Sequence, residues 1–150
     1  MTPIDQRGFT LIELLAVVAV MAILQVLAVP AVSAMVESVR MTTAVNTLFP
    51  SLMLARSEAI KGNGRAVVCK STDGEACAKT GGWEQGWIAF QDDNNNAALD
   101  AGEARLLRQQ ALHPSIRLVR NGPVADYVSF NRKGATKYIS GAFQAGTLTA

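Results

Sequence analysis

The hydrophobic rhythm of the chain changes twice. Residues 1–8 form a short polar leader, and residues 9–36 then run almost unbroken through apolar side chains. About 20 apolar residues suffice to span a bilayer. At about 1.5 Å per residue the run makes a helix about 42 Å long, which outlasts the hydrocarbon core. After it the apolar positions thin to a stripe. Val45, Leu48, Phe49, Leu52, Ala55, Ala59 and Ile60 recur mostly at spacings of three and four, the mark of an amphipathic helix, with Arg56 and Lys61 off the stripe. Pro30 and Pro50 should bend or loosen that helix, and Gly62-Asn63-Gly64 should stop it. The pattern predicts one long helix over roughly residues 9–61.

Beyond Gly64 the period falls to two. The candidate strands are residues 65–70, 87–91, 105–110, 116–120, 127–131 and 142–148. Turn residues separate them, among them Asp73-Gly74, Gly81-Gly82, Asn94–Asn96, Asn121-Gly122-Pro123, Gly134 and Gly141. A long helix followed by consecutive short strands predicts an α+β fold in which the helix packs on an antiparallel sheet. The domain reading is a leader over 1–8, a transmembrane helix over 9–36 and a globular domain over 37–150.

Two residues change the meaning of the apolar run. Gly8 precedes it, and Glu13 lies inside it. A charged group at the centre of a membrane helix costs roughly 2.5–3.5 kcal/mol on insertion scales, so something must offset Glu13. A secretory signal places its cleavage site after the apolar stretch; here the polar-to-apolar junction comes first. The stretch Arg7-Gly8-Phe9-Thr10-Leu11-Ile12-Glu13-Leu14 resembles the type IV prepilin signature, which pseudopilins of type II secretion share. The resemblance implies that prepilin peptidase cuts between Gly8 and Phe9 and that the new Phe9 amine is N-methylated. It also gives Glu13 a partner, the Phe9 amine of a neighbouring subunit in a growing filament. Small and β-branched residues from Ala16 to Ala22 allow close helix packing, first in the inner membrane and later in a filament core.

Net charge is +2 and points to no partner by itself, but its distribution is uneven. Residues 73–103 carry seven acids and one base, and residues 104–150 carry seven bases and one acid. Cys69 and Cys77 bracket a polar loop. In an oxidising compartment they would close a short disulfide; the rivals are a reduced pair or half a metal site. Asp92, Asn94, Asn96, Asp100 and Glu103 occupy positions 1, 3, 5, 9 and 12 of a calcium loop. Ala97 stands where that loop wants glycine, and the flanks read as strands, so a solvated hairpin is favoured over a metal site and no cofactor is expected.

The segments Ala55–Ile60, Gly86–Phe90, Glu103–Arg108 and Ser129–Gly134, together with Cys69 and the Asp/Asn loop, are similar to the GspH/FimT family of minor pilins and pseudopilins. Many members carry a cysteine near the C-terminus. This chain ends Gly146-Thr147-Leu148-Thr149-Ala150 without one, so the resemblance implies the local pair Cys69–Cys77 as its disulfide. It implies a structural subunit anchored once in the inner membrane, its globular domain periplasmic, meeting prepilin peptidase, an assembly platform and other pilin subunits in a type II secretion pseudopilus or a type IV pilus. Some FimT-like pilins serve DNA uptake. Arg117, Arg120, Arg132, Lys133 and Lys137 are the residues of this chain that could contact phosphates. Salt-dependent binding to duplex DNA would separate that alternative from a purely structural role. An enzyme is not expected: the one histidine, His113 beside Pro114, has no nucleophile, phosphate loop or paired acid in a recognisable frame.

Overall fold

A computed structural model describes residues 10–150. The chain divides into two compact units, Met1–Val39 and Arg40–Ala150. Helix α1 covers Leu11–Lys61 and is helical through both Pro30 and Pro50. Thr10 begins it: the Thr10 carbonyl accepts from the Leu14 N–H at 3.1 Å and its hydroxyl from the Glu13 N–H at 3.3 Å, satisfying an otherwise orphaned donor. It ends in a Schellman motif. The Gly64 N–H bonds to the Ala59 carbonyl at 3.1 Å and the Asn63 N–H to the Ile60 carbonyl at 3.3 Å. The left-handed residue of that motif is Asn63, with φ 50°.

In the second unit, strands β1 (Ala66–Lys70), β2 (Trp87–Gln91), β3 (Arg105–Gln109) and β5 (Tyr127–Phe130) make an antiparallel sheet in the order β3-β2-β1-β5. The register pairs Val68 with Ala89 and with Val128. Gly86 sets the entry to β2. Its φ is +109°, and a Cβ there would stand 2.6 Å from the Gln109 carbonyl oxygen, so only glycine fits.

The other predicted strands shrink. Of residues 116–120 only β4 (Val119–Arg120) forms, and of 142–148 only Leu148, in β6 (Leu148–Thr149). These two pair with each other as a separate sheet instead of extending the first. The intervening chain is held by side chains. Buried Gln144 accepts from the Ser129 N–H at 3.1 Å and donates to the Pro123 and Tyr127 carbonyls at 2.9 and 2.8 Å. Asn121 accepts from the Thr147 N–H through its side-chain oxygen at 3.1 Å.

The two sheet faces bury different things. Ala66, Val68, Trp87, Ala89, Val128 and Phe130 pack with Leu48, Ala55 and Ala59 of α1. Val67, Cys69, Ile88 and Phe90 point the other way, where Cys77, Ala97, Leu99 and Tyr127 cover them. Each fully buried Val, Ile or Phe contributes roughly 1.5–3 kcal/mol relative to exposure. The buried face of α1 differs from the predicted stripe. Ala44, Leu48, Ser51, Ala55 and Ala59 are buried, whereas Val45, Phe49 and Ile60 are exposed. The sheet selects small side chains that let the helix approach, and Ser51 is among them because its hydroxyl accepts from the Trp87 indole N–H at 3.0 Å.

Lys70 ends β1 as a fully buried cation. Its Nζ lies 2.8 Å from an Asp126 carboxylate oxygen and donates to the Lys79 and Gly81 carbonyls at 3.3 and 3.1 Å. A buried ammonium is tolerated only with such a set of oxygens around it.

Candidate assembly and processing site

The proposed cleavage residues Gly8 and Phe9 lie outside the described residues, so the site begins at Thr10. Glu13 occupies the third helical position. Thr10-Leu11-Ile12-Glu13 has the Ser/Thr-x-x-Glu form of a capping box, and the Thr10 half of that box is made. A carboxylate in the first turn also faces the positive end of the helix dipole. The sequence resemblance gives Glu13 only a partner in a neighbouring subunit; the capping spacing is also present from Thr10 onward.

The apolar surface behind Glu13 is bare. Leu11, Ile12, Val26 and Met35 are 77, 72, 74 and 70% exposed. Among the described residues α1 is the one helix long and apolar enough to cross a membrane. A stretch of this kind needs lipid or other helices to cover it.

The far face of the sheet carries the other candidate residues. Cys69 and Cys77 form a disulfide. The loop it closes is docked by side chains of β3: Arg105 donates to the Gly74 carbonyl at 2.8 Å and Arg108 to the Asp73 carbonyl at 2.6 Å. Glu75 stands 2.8 Å from Arg105 and 3.7 Å from Arg108. The loop therefore has a small core, shared with Ala97 and Leu99 of the Asp/Asn loop. Cys77 Sγ lies 3.6 Å from the Ala97 carbonyl oxygen. Asp73 Oδ1 accepts the Glu75 and Ala76 N–H groups at 2.8 and 3.1 Å. These bonds, that of Glu75 first, hold its carboxyl below the ordinary value of 3.8.

Two known families match. The model of the type II transport protein GspH covers residues 44–150, and that of the prokaryotic N-terminal methylation motif covers residues 4–28. The chain belongs to the GspH family. It is a pilin-type protein bearing the prepilin processing motif, and its helix-on-sheet architecture is that of the type IV pilin fold. No curated protein and no solved structure matches it.

In this GspH-family domain the Asp/Asn loop is a closed network. Buried Asp92 accepts the Asn96 and Ala97 N–H groups, each at 3.0 Å. Glu103 accepts those of Asp93 and Asp100 at 2.9 and 3.0 Å. Asp100 accepts the side-chain amides of Asn94 and Asn96 at 2.8 and 2.6 Å. The Asn94 bond first, then that of Asn96, holds the Asp100 carboxyl below 3.8. Ala97 has φ 57°, so the position that a calcium loop reserves for glycine is left-handed here too. Among the described residues no group of three His, Cys, Asp or Glu side chains converges.

The five basic residues named for DNA fall into two sets. Arg117 pairs with Glu84 at 3.4 Å, Arg120 donates to the Ala125 carbonyl at 2.7 Å, and Lys137 donates to the Gly141 carbonyl at 3.0 Å. Arg132 and Lys133 are exposed neighbours in the turn after β5 and make no ion pair among the described residues. His113 Nδ1 lies 2.9 Å from the Ser115 hydroxyl and accepts the Ser115 N–H at 3.2 Å, a local turn contact.

Proposed function

We propose that this chain is a minor pilin or type II secretion pseudopilin, a structural subunit. Prepilin peptidase cuts it between Gly8 and Phe9, and the freed Phe9 amine is methylated. Residues 9–36 hold it in the inner membrane with the domain in the periplasm, until the assembly platform moves it into a pilus or pseudopilus among other subunits. The observation that carries this reading is the bare apolar helix with Glu13 in its first turn, in a chain that the methylation motif matches over residues 4–28.

The chemistry is electrostatic. Glu13 of an incoming subunit meets the Phe9 amine of one already in place. Two opposite charges in a low dielectric attract strongly, but both must leave water, and desolvation cancels much of that gain. The product is register more than raw stability, because only one axial offset brings the two groups together. A DNA-binding role on such a filament would rest on Arg132 and Lys133, two adjacent exposed cations that make no ion pair among the described residues.

Replacing Glu13 with Ala in cells that assemble the fibre tests the reading. The variant is expected to be cleaved and methylated normally yet depleted from sheared filaments at least several-fold. Incorporation at the level of the unaltered chain would rule out the register role.

A further inference from the structure

The apolar run hides a second pattern. Ala16, Ala19, Ala22, Ala28, Ala31 and Ala34 fall at every third position, and the rung between Ala22 and Ala28 is Gln25. Side chains three apart on a helix are neighbours on successive turns, so this row crosses α1 obliquely as one of the rows that set helix packing. Methyl side chains make the row a shallow furrow in which a second backbone can come close. Gln25 interrupts it.

Gln25 is the only polar side chain between Leu14 and Val32. It lies about 4 Å along the axis from the midpoint of residues 9–36, at about 1.5 Å per residue. Its amide offers two donors and an acceptor. Around it only the Val26 carbonyl lacks an intrahelical donor, because Pro30 has no N–H, and Gln25 makes no hydrogen bond to any described residue. Ser33, by contrast, satisfies itself by donating to the Val29 carbonyl at 3.0 Å. In hydrocarbon no water replaces the missing partner, so the partner must come from another helix.

We propose that Gln25 pairs with Gln25 of a second copy of this chain in the membrane, the flanking Ala22 and Ala28 letting the two backbones approach. Self-complementarity names the occupant. A second copy with the same orientation sets its own Gln25 at the same depth, and two amides facing each other exchange two hydrogen bonds, each donating an N–H to the other's carbonyl. A helix without a polar group at that depth would leave the amide unpaired. The proposal rests on the reading of residues 9–36 as a membrane segment.

Sedimentation equilibrium of the full chain in density-matched detergent micelles tests it. The unaltered chain should self-associate. Gln25→Leu, which preserves helix propensity and apolar character, should weaken that association roughly three- to thirty-fold, the range measured for interhelical polar contacts. Gln25→Asn should retain most of it. A chain that is monomeric at every protein-to-detergent ratio, or one whose association is unchanged by Gln25→Leu, would overturn the proposal. Failure of the membrane reading is separately visible: alkaline carbonate would then strip the chain from membranes whatever residue stands at position 25.

Discussion

At the level of single residues, the Asp/Asn loop shows how far side-chain chemistry dictates backbone shape. Ala97 is held left-handed because Asp92 claims its N–H and Leu99 must reach the far face of the sheet. A non-glycine residue there costs about 1–3 kcal/mol. Ala97→Gly is therefore expected to stabilise the domain by about 1 kcal/mol, after the entropy of the added glycine is counted; a urea midpoint that fell would contradict the strain. Asp100 supplies a pH signature. Its carboxyl is held low, so it binds its proton more weakly folded than unfolded. Its contribution is present above 3.8 and lost as pH falls through the lower folded value. Asn94→Ala should move the Asp100 midpoint, followed by side-chain carbonyl NMR, up towards 3.8. The five loop residues were legible in the sequence as a spacing. Their use was not, because the spacing of a calcium loop and of a self-bonded Asx network is the same.

Among the elements, α1 was read most completely, and its packing least. Its end was legible because Gly62-Asn63-Gly64 has little else to do than a Schellman cap. Its buried face was read in part: Leu48, Ala55 and Ala59 of the stripe are buried, but Val45, Phe49 and Ile60 are not, because hydrophobicity was weighed above size. The sheet packs on Leu48, Ala55 and Ala59 and bonds Ser51 through Trp87, and Val45 and Phe49 are left exposed. Ser51 is the test of that packing. Ser51→Ala strands the buried Trp87 indole N–H, and an unsatisfied buried donor costs about 1–3 kcal/mol. Thermal or urea unfolding should show a loss in that range; an unchanged midpoint would mean that the bond contributes nothing. Strands β1 and β2 were visible because both their faces are buried, giving short apolar runs between turns. Residues 116–120 and 142–148 alternate too, yet only Val119, Arg120 and Leu148 of them enter the β4–β6 pair. Gln144 and Asn121 supply the bonds that a ladder would have made, and no periodicity reports that.

At the scale of the whole molecule, the acidic and basic halves of the sequence meet. Glu75 faces Arg105 and Arg108, and Glu84 faces Arg117. A bipolar sequence has become a set of ties between loops and strands. Among the described residues the apolar side chains of α1 from Leu11 to Val36 are exposed, and covering them is what the proposed assembly would do. On the proposed reading, processing is the step on which assembly depends, since it frees the Phe9 amine that Glu13 of another subunit would meet. The most direct test is the mass and N-terminal sequence of the chain co-expressed with prepilin peptidase. The account predicts a product that begins at Phe9 and carries one methyl group on its amine, and a full-length chain when Gly8 is replaced by a bulky residue. A full-length chain in the presence of active peptidase would contradict it.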